Sequence, residues 1–296
     1  MEPISFFTCL EPKRYGGIAT HYYYLQTGFQ EAGIPIKPSG IEFYQKDDVS
    51  RKQLEQAMRD ILIIHHLNSD NAVAYFAKEG RKIDKKVVVW PCDQFISFNL
   101  TIRRLLFENC FKLVASMKWW AEAWKEEAKN FGTDPGIIDF VRNEVRIGKT
   151  IPKEEAREKL GIETKYAVVE IGFVHLRKCF HEMVKILAPM EDVTYIIAGG
   201  TFPGLNEDYA DYLRNQIAIL KPKKVLWLDR FMEESDYDLV FSAADLALSP
   251  SIHEVDTQST IFSSLGSGGG KTVIATNIQR GFRELDREGA IVSVPL

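Results

Sequence analysis

Short apolar runs alternate along this chain with segments of helical period, and that alternation restricts it to parallel sheets covered by helices on both faces. Strands are predicted at 4–8, 61–65, 86–90 and 112–115 in the first half, and at 167–171, 194–198, 224–228, 246–248 and 272–275 in the second. Helices are predicted at 21–32, 51–59, 69–80, 117–131, 153–160, 179–187, 208–220 and 235–243. The stretch 143–152 interrupts this rhythm and leads through a helix into a fresh strand, so the interdomain linker is placed there. At 296 residues the expectation is an α/β protein of two Rossmann-like doubly wound domains, 1–146 and 147–296.

Bulk chemistry removes several function classes. A formal net charge of -4 supplies no general attraction to phosphate backbones, and no nucleic-acid partner is expected. Cysteines 9, 92, 110 and 179 show neither CxxC spacing nor a dense framework, which reads as reduced thiols and no zinc site. No apolar run reaches the roughly eighteen residues of a membrane span, and the first residues lack the sections of a signal peptide, so a cytoplasmic protein is expected. Trp119, Trp120 and Trp124, with Lys118 and Lys125, fall on one predicted helix, where they either touch lipid headgroups in a peripheral membrane contact or pack into the core.

In open parallel sheets ligands gather at the carboxyl ends of strands, where helix N-termini present unpaired N–H groups. Four such loops draw the eye. Gly16 and Gly17 precede the first helix and allow close backbone approach. Arg177 and Lys178 stand near the start of another helix, against the sense of its dipole, which fits an anion held there or plain solvated charge. Glu254 and Asp256 precede the small polar run Thr257, Gln258, Ser259 and Thr260, ordinary helix-start residues after an apolar strand. The run from Gly266 to Thr272 imitates a phosphate-binding P-loop, but Leu265 stands where that motif needs glycine, and the run enters a strand when it should leave one. Gly199 and Gly200 are followed by Thr201, Phe202, Pro203 and Gly204 and never complete the dinucleotide fingerprint, which disfavours an oxidoreductase.

Taken in order, these segments resemble the GT-B family of retaining glycosyltransferases. YGGIATHYYYLQTGFQEAG is similar to the family's first loop and helix, LVASMKWWAEAWKEEAKNFG to its "VSE" strand and helix, and DFVRNEVRIG to its interdomain segment. In the second half IGFVHLRKC resembles the donor-phosphate loop GRxxxxKG, VLWLDRFMEESDYDLVFSAADLALSPSIHE resembles the long signature ending in "AADVFVLPSxxE", and GGKTVIATN resembles "GKPVIATN". The resemblance implies two domains facing each other across a cleft, the acceptor bound by the first and a nucleotide-diphosphate sugar by the second, with no metal and no other cofactor.

Residue by residue, the resemblance assigns catalysis to Glu254 and Lys178. It assigns the donor site to Gly16, Gly17, Arg177, Lys178, Arg230, Phe231, Glu254, Thr257, Gln258, Ser259 and Thr260. His65 and His66, which end a first-domain strand, either face the cleft, with His66 as a further catalytic candidate, or are structural histidines. Phe173 stands where the family carries arginine, leaving Arg177 to substitute. The eighth residue after Glu254 is Phe262, so Ser263 or Ser264 takes the place of the family's second acid, and Cys92-Asp93 stands for a His-Asp pair. The implied reaction is hexose transfer with retention to a sugar or lipid-linked acceptor; the alternative is a catalytically silent homologue serving as a binding or scaffold subunit. After the strand resembling 290–294, relatives carry some fifty further residues, so the chain is expected to be a fragment or to bury its uncovered face, most simply against a second copy.

Overall fold

The computed structural model describes residues 4–8, 17–39, 61–66, 70–91, 99–142, 148–201, 207–220, 224–252, 270–278, 280–289 and 291–295. The chain divides into two compact units, Met1–Glu144 and Val145–Leu296. The sequence expectation put the division after residue 146.

In the first unit the strands are β1 (Ile4–Thr8), β2 (Ile36–Ser39), β3 (Ile61–His66), β4 (Lys86–Val89), β5 (Lys112–Ala115) and β6 (Ile138–Phe140). They form one sheet in the order β2-β1-β3-β4-β5-β6, parallel throughout. The helices are α1 (Gly17–Glu31), α2 (Asp70–Lys82), α3 (Leu100–Asn109) and α4 (Lys118–Asn130). Apolar side chains at helical spacing on α2 to α4, among them Phe76, Ala77, Leu106 and Phe107, pack on Val87, Val89, Leu113 and Ala115 to form the core. Trp120 and Trp124 lie in that core with their rings stacked 5.9 Å apart. Two of the three indoles considered for headgroup contact are therefore core residues, and only Trp119 is half-buried.

The second unit runs α5 (Lys153–Leu160), β7 (Tyr166–Ile171), α6 (Phe180–Leu187), β8 (Val193–Ala198), α7 (Glu207–Leu220), β9 (Val225–Leu228), α8 (Glu234–Ala243), β10 (Leu246–Ser249), β11 (Thr272–Thr276), α9 (Arg280–Arg287) and β12 (Val292–Val294). Its sheet, order β12-β11-β10-β7-β8-β9, is again parallel throughout. Successive side chains of a strand point to opposite faces. Ile196 and Ala198 of β8 accordingly join a core with α5, α8 and α9, while Tyr195 and Ile197 join one with α6 and α7.

Away from the carboxyl ends, a buried clamp holds α5 to the sheet. The Arg157 guanidinium donates to the carbonyls of Ala243, Thr164 and Lys165 and to Asp245 Oδ2, which also accepts from the Ala167 N–H at 2.8 Å. Gly161, at φ 66, ends α5 in the left-handed conformation that glycine adopts most cheaply. The helix predicted at 51–59 lies outside the described residues.

Candidate functional site

Both sheets reverse strand order once, between β1 and β3 in the first unit and between β7 and β10 in the second. All strands being parallel, their carboxyl ends share one edge, and the crevice outside such a reversal point is where ligands bind in open α/β sheets. In the first unit Thr8 and His66 are register partners at the ends of β1 and β3, and Gly17 is the first residue of α1. His66 thus belongs to the carboxyl edge at the reversal point; Gly16, Cys92 and Asp93 lie outside the described residues.

The second unit's crevice is built from glycines. Gly172 follows β7 at φ +123 and Gly199 follows β8 at φ +145, conformations that L side chains rarely adopt. A Cβ on Gly199 would stand 2.3 Å from the Gly172 carbonyl oxygen, and one on Gly200 would stand 3.2 Å from the Arg230 nitrogen after β9. Three loops are therefore layered backbone on backbone. The Val174 N–H donates to the Gly200 carbonyl at 3.0 Å and the Trp227 indole to that of Gly199 at 2.9 Å, fixing the layers in place.

On this floor rests a turn of 3-10 helix, Leu176–Lys178, capped by the His175 imidazole, whose Nδ1 accepts from the Arg177 N–H at 3.1 Å. Cys179, left-handed at φ 59, then starts α6. The turn folds Lys178 back over β7. Its Nζ donates to the Ile171 carbonyl at 2.8 Å and occupies the space of the absent Gly172 side chain, where a Cβ would lie 2.3 Å away. The loop after β10 closes the other side: the Ile252 N–H donates to the Arg177 carbonyl at 3.0 Å, and Thr276 Oγ1 of β11 donates to the Ser251 carbonyl at 2.5 Å. That segment leads directly into the predicted Glu254 loop.

Beneath the turn sits a carboxyl that the sequence reading left inside an apolar strand. Glu170 of β7 is 1 % exposed; the Tyr195 hydroxyl donates to its Oε2 at 2.6 Å, and its Oε1 has no hydrogen-bond partner among the described residues. Burial pushes this carboxyl up from an ordinary 4.5 to about 8, opposed by the Tyr195 hydrogen bond and the Lys178 charge. Burial likewise brings Lys178 down from 10.5 to about 8, with Glu170 working to raise it and Arg177 to lower it further. Glu170 and Tyr195 are 25 positions apart, and spacing along the chain gives no hint of their pairing.

Of the predicted donor residues, Arg177, which is exposed, meets the Ile252 segment at the reversal point through its carbonyl, and Lys178 follows it on the same turn. Arg230 and Phe231 follow β9 at the same edge, two strands from β7. The Arg230 guanidinium is engaged with Asp236, at 2.6 and 3.3 Å, where Asp236 and Glu233 cap α8, and Phe231 is exposed. Glu254, Thr257, Gln258, Ser259, Thr260, Phe262, Ser263 and Ser264 lie outside the described residues. The thiols of Cys110 and Cys179 are free and buried.

No family model matches this chain, and no curated protein matches it. Solved structures do. HepE from Anabaena, in complex with UDP and glucose, is 20% identical with a TM-score of 0.71, covering 99% of this chain and 85% of that one. The sucrose-phosphate synthase of Thermosynechococcus elongatus is 12% identical with a TM-score of 0.69, covering 100% and 86%. A glycosyltransferase from Rickettsia africae is 14% identical with a TM-score of 0.63, covering 95% and 74%.

Proposed function

We propose that this chain, which has the two-Rossmann-domain GT-B fold, transfers a hexose from a nucleotide-diphosphate sugar, with retention and without a metal ion. One observation carries the reading: the turn bearing Lys178 is hydrogen-bonded to the loop after β10 at the strand-order reversal of the second sheet. A lysine head on a glycine floor, beside strand ends, is an arrangement suited to an anion with an extended phosphate chain. The UDP and glucose bound to HepE make UDP the first base to test.

In this reading the second unit takes the donor and the first takes a sugar or lipid-linked acceptor. Lys178 and Arg177 neutralise the departing diphosphate, with residues 257–260 and Gly16-Gly17 the further donor-site candidates. Arg230 and Phe231 border the nucleotide, Glu254 holds sugar hydroxyls, and His66 is the catalytic candidate of the first unit. The transition state is oxocarbenium-like, and its stabilisation rests on charge placed at the leaving phosphate.

Calorimetric titration with UDP, GDP and ADP is the direct test. One of them is expected to bind, and Lys178→Ala to weaken it at least tenfold. If all three fail to bind, the donor reading is wrong and the silent scaffold replaces it. Retention is read from the anomer first released when the bound sugar nucleotide is hydrolysed: release of the opposite anomer excludes it.

A further inference from the structure

The Glu170 carboxyl does not belong to the machinery just described, yet it lies under the lysine on which that machinery turns. A carboxyl 1 % exposed, with one oxygen bonded to a phenol and the other bonded to nothing described, is costly unless it answers to a neighbouring charge. The nearby cation is Lys178, whose ammonium is parked on the Ile171 carbonyl, in a space open only because residue 172 has no side chain. Parked there, its charge favours the ionised form of the buried acid.

We infer that Glu170, held by Tyr195, is the positioning residue of Lys178, and that an anion engaging Lys178 loads a proton onto the Glu170 carboxyl. The inference rests on the reading of Lys178 as a diphosphate-binding group. An anion at the turn acts on Glu170 twice: it draws the ammonium toward itself, weakening the carboxylate's counter-charge, and it adds negative potential of its own. Both favour the protonated carboxyl, and the proton comes from solvent.

Among the described residues, Tyr195, Tyr209, Cys179 and Arg177 act on the pair. Tyr195 on β8 donates to the ionised carboxyl and opposes the uptake. Tyr209 on α7 and Cys179 at the start of α6 feel the Glu170 charge, burial holding both above their ordinary values, so neither supplies a competing anion near neutrality. Arg177, beside Lys178, adds positive charge and lowers the lysine's proton affinity. Because burial raises the acid's affinity for a proton, loading is confined to pH values at which Glu170 of the free protein is ionised, and it vanishes at lower pH, where the acid already holds its proton. Reciprocity then requires anion affinity to fall with rising pH in that range, by up to tenfold per pH unit for each proton taken up.

Infrared difference spectroscopy at pH 8.5, on the whole chain before and after saturation with inorganic pyrophosphate or UDP, reads the carboxyl directly, because a protonated carboxyl absorbs where lysine does not. The wild type is expected to gain a protonated-carboxyl band with either ligand, and Glu170→Gln to gain none. In Tyr195→Phe, which keeps the acid but removes its donor, the band should already stand before ligand is added. This second variant decides the question should Glu170→Gln fold poorly. Binding of UDP without a new band overturns the inference and leaves the donor reading intact. Pyrophosphate binding with the band, while UDP does not bind, removes the donor reading and keeps the inference. If neither ligand binds, both fall.

Discussion

Gly172 and Gly199 occupy similar backbone regions but answer to different neighbours. A methyl at 199 meets a carbonyl oxygen that cannot move without shifting β7's loop, whereas a methyl at 172 meets the far end of a lysine. Gly199→Ala is therefore expected to cost more stability than Gly172→Ala, by about 1–2 kcal/mol beyond the strain of about 1–3 kcal/mol common to both. Gly172→Ala should instead change anion binding the more, since it displaces Lys178. Urea unfolding of the two variants beside pyrophosphate titration checks the crossover, and equal effects on both measures would refute it.

Glu170 and Lys178 also set a pH profile. Between an ordinary 4.5 and the folded value of about 8, the folded chain keeps a proton on Glu170 that the unfolded chain has released, so stability falls as pH rises through this range. Lys178 has the opposite sense: lowered from 10.5 to about 8, it releases its proton earlier when folded, so stability recovers as pH climbs from 8 toward 10.5. A minimum near pH 8 is expected. Glu170→Gln should remove the falling limb. Unfolding curves at half-unit pH steps would show it; a profile unchanged by the substitution would contradict it.

Among elements, the central strands were legible because strands buried on both faces read as unbroken apolar runs, and β1 and β5 coincide with the sequence reading. Others were not. β2 carries Pro38 and β6 has only three residues, too few for a period to register. α3 went unread despite its Asn99 cap, which accepts from the Ile102 N–H at 3.0 Å, and α9 because charge outnumbers its apolar Phe282 and Leu285. The site divides in the same way: Lys178 and Arg177 were found from loop position, whereas Glu170 and Tyr195 were hidden because their meeting is fixed by strand order, which no local pattern reveals. The clamp on α5 belongs to this scale too. Burial pushes the Asp245 carboxyl up, but Lys153, the Ala167 amide and Arg157 together hold it below its ordinary 3.8. Asp245→Ala strips the buried Arg157 of its counter-charge and is expected to cost about 3 kcal/mol, measured by chemical denaturation at pH 7. A loss under about 1 kcal/mol would mean that the carbonyls alone satisfy the guanidinium.

For the whole molecule, two units with separate cores make a directional expectation possible. If the donor belongs to the second unit, UDP should slow amide exchange at the ends of β7, β8 and β10 and leave β4, buried in the other core, unchanged. At a hundred times its dissociation constant the ligand adds about 2.7 kcal/mol to the stability of whatever it binds. Protection centred on β4 would move the donor to the first unit. Within the second unit, one N–H is the only backbone hydrogen bond described between the turn after β7 and the segment after β10: that of Ile252, resting on the Arg177 carbonyl. It breaks when those two segments part and re-forms when they meet. A single amide resonance, assigned once, would thus serve as a built-in gauge of how often the crevice breathes, without any label attached to the protein.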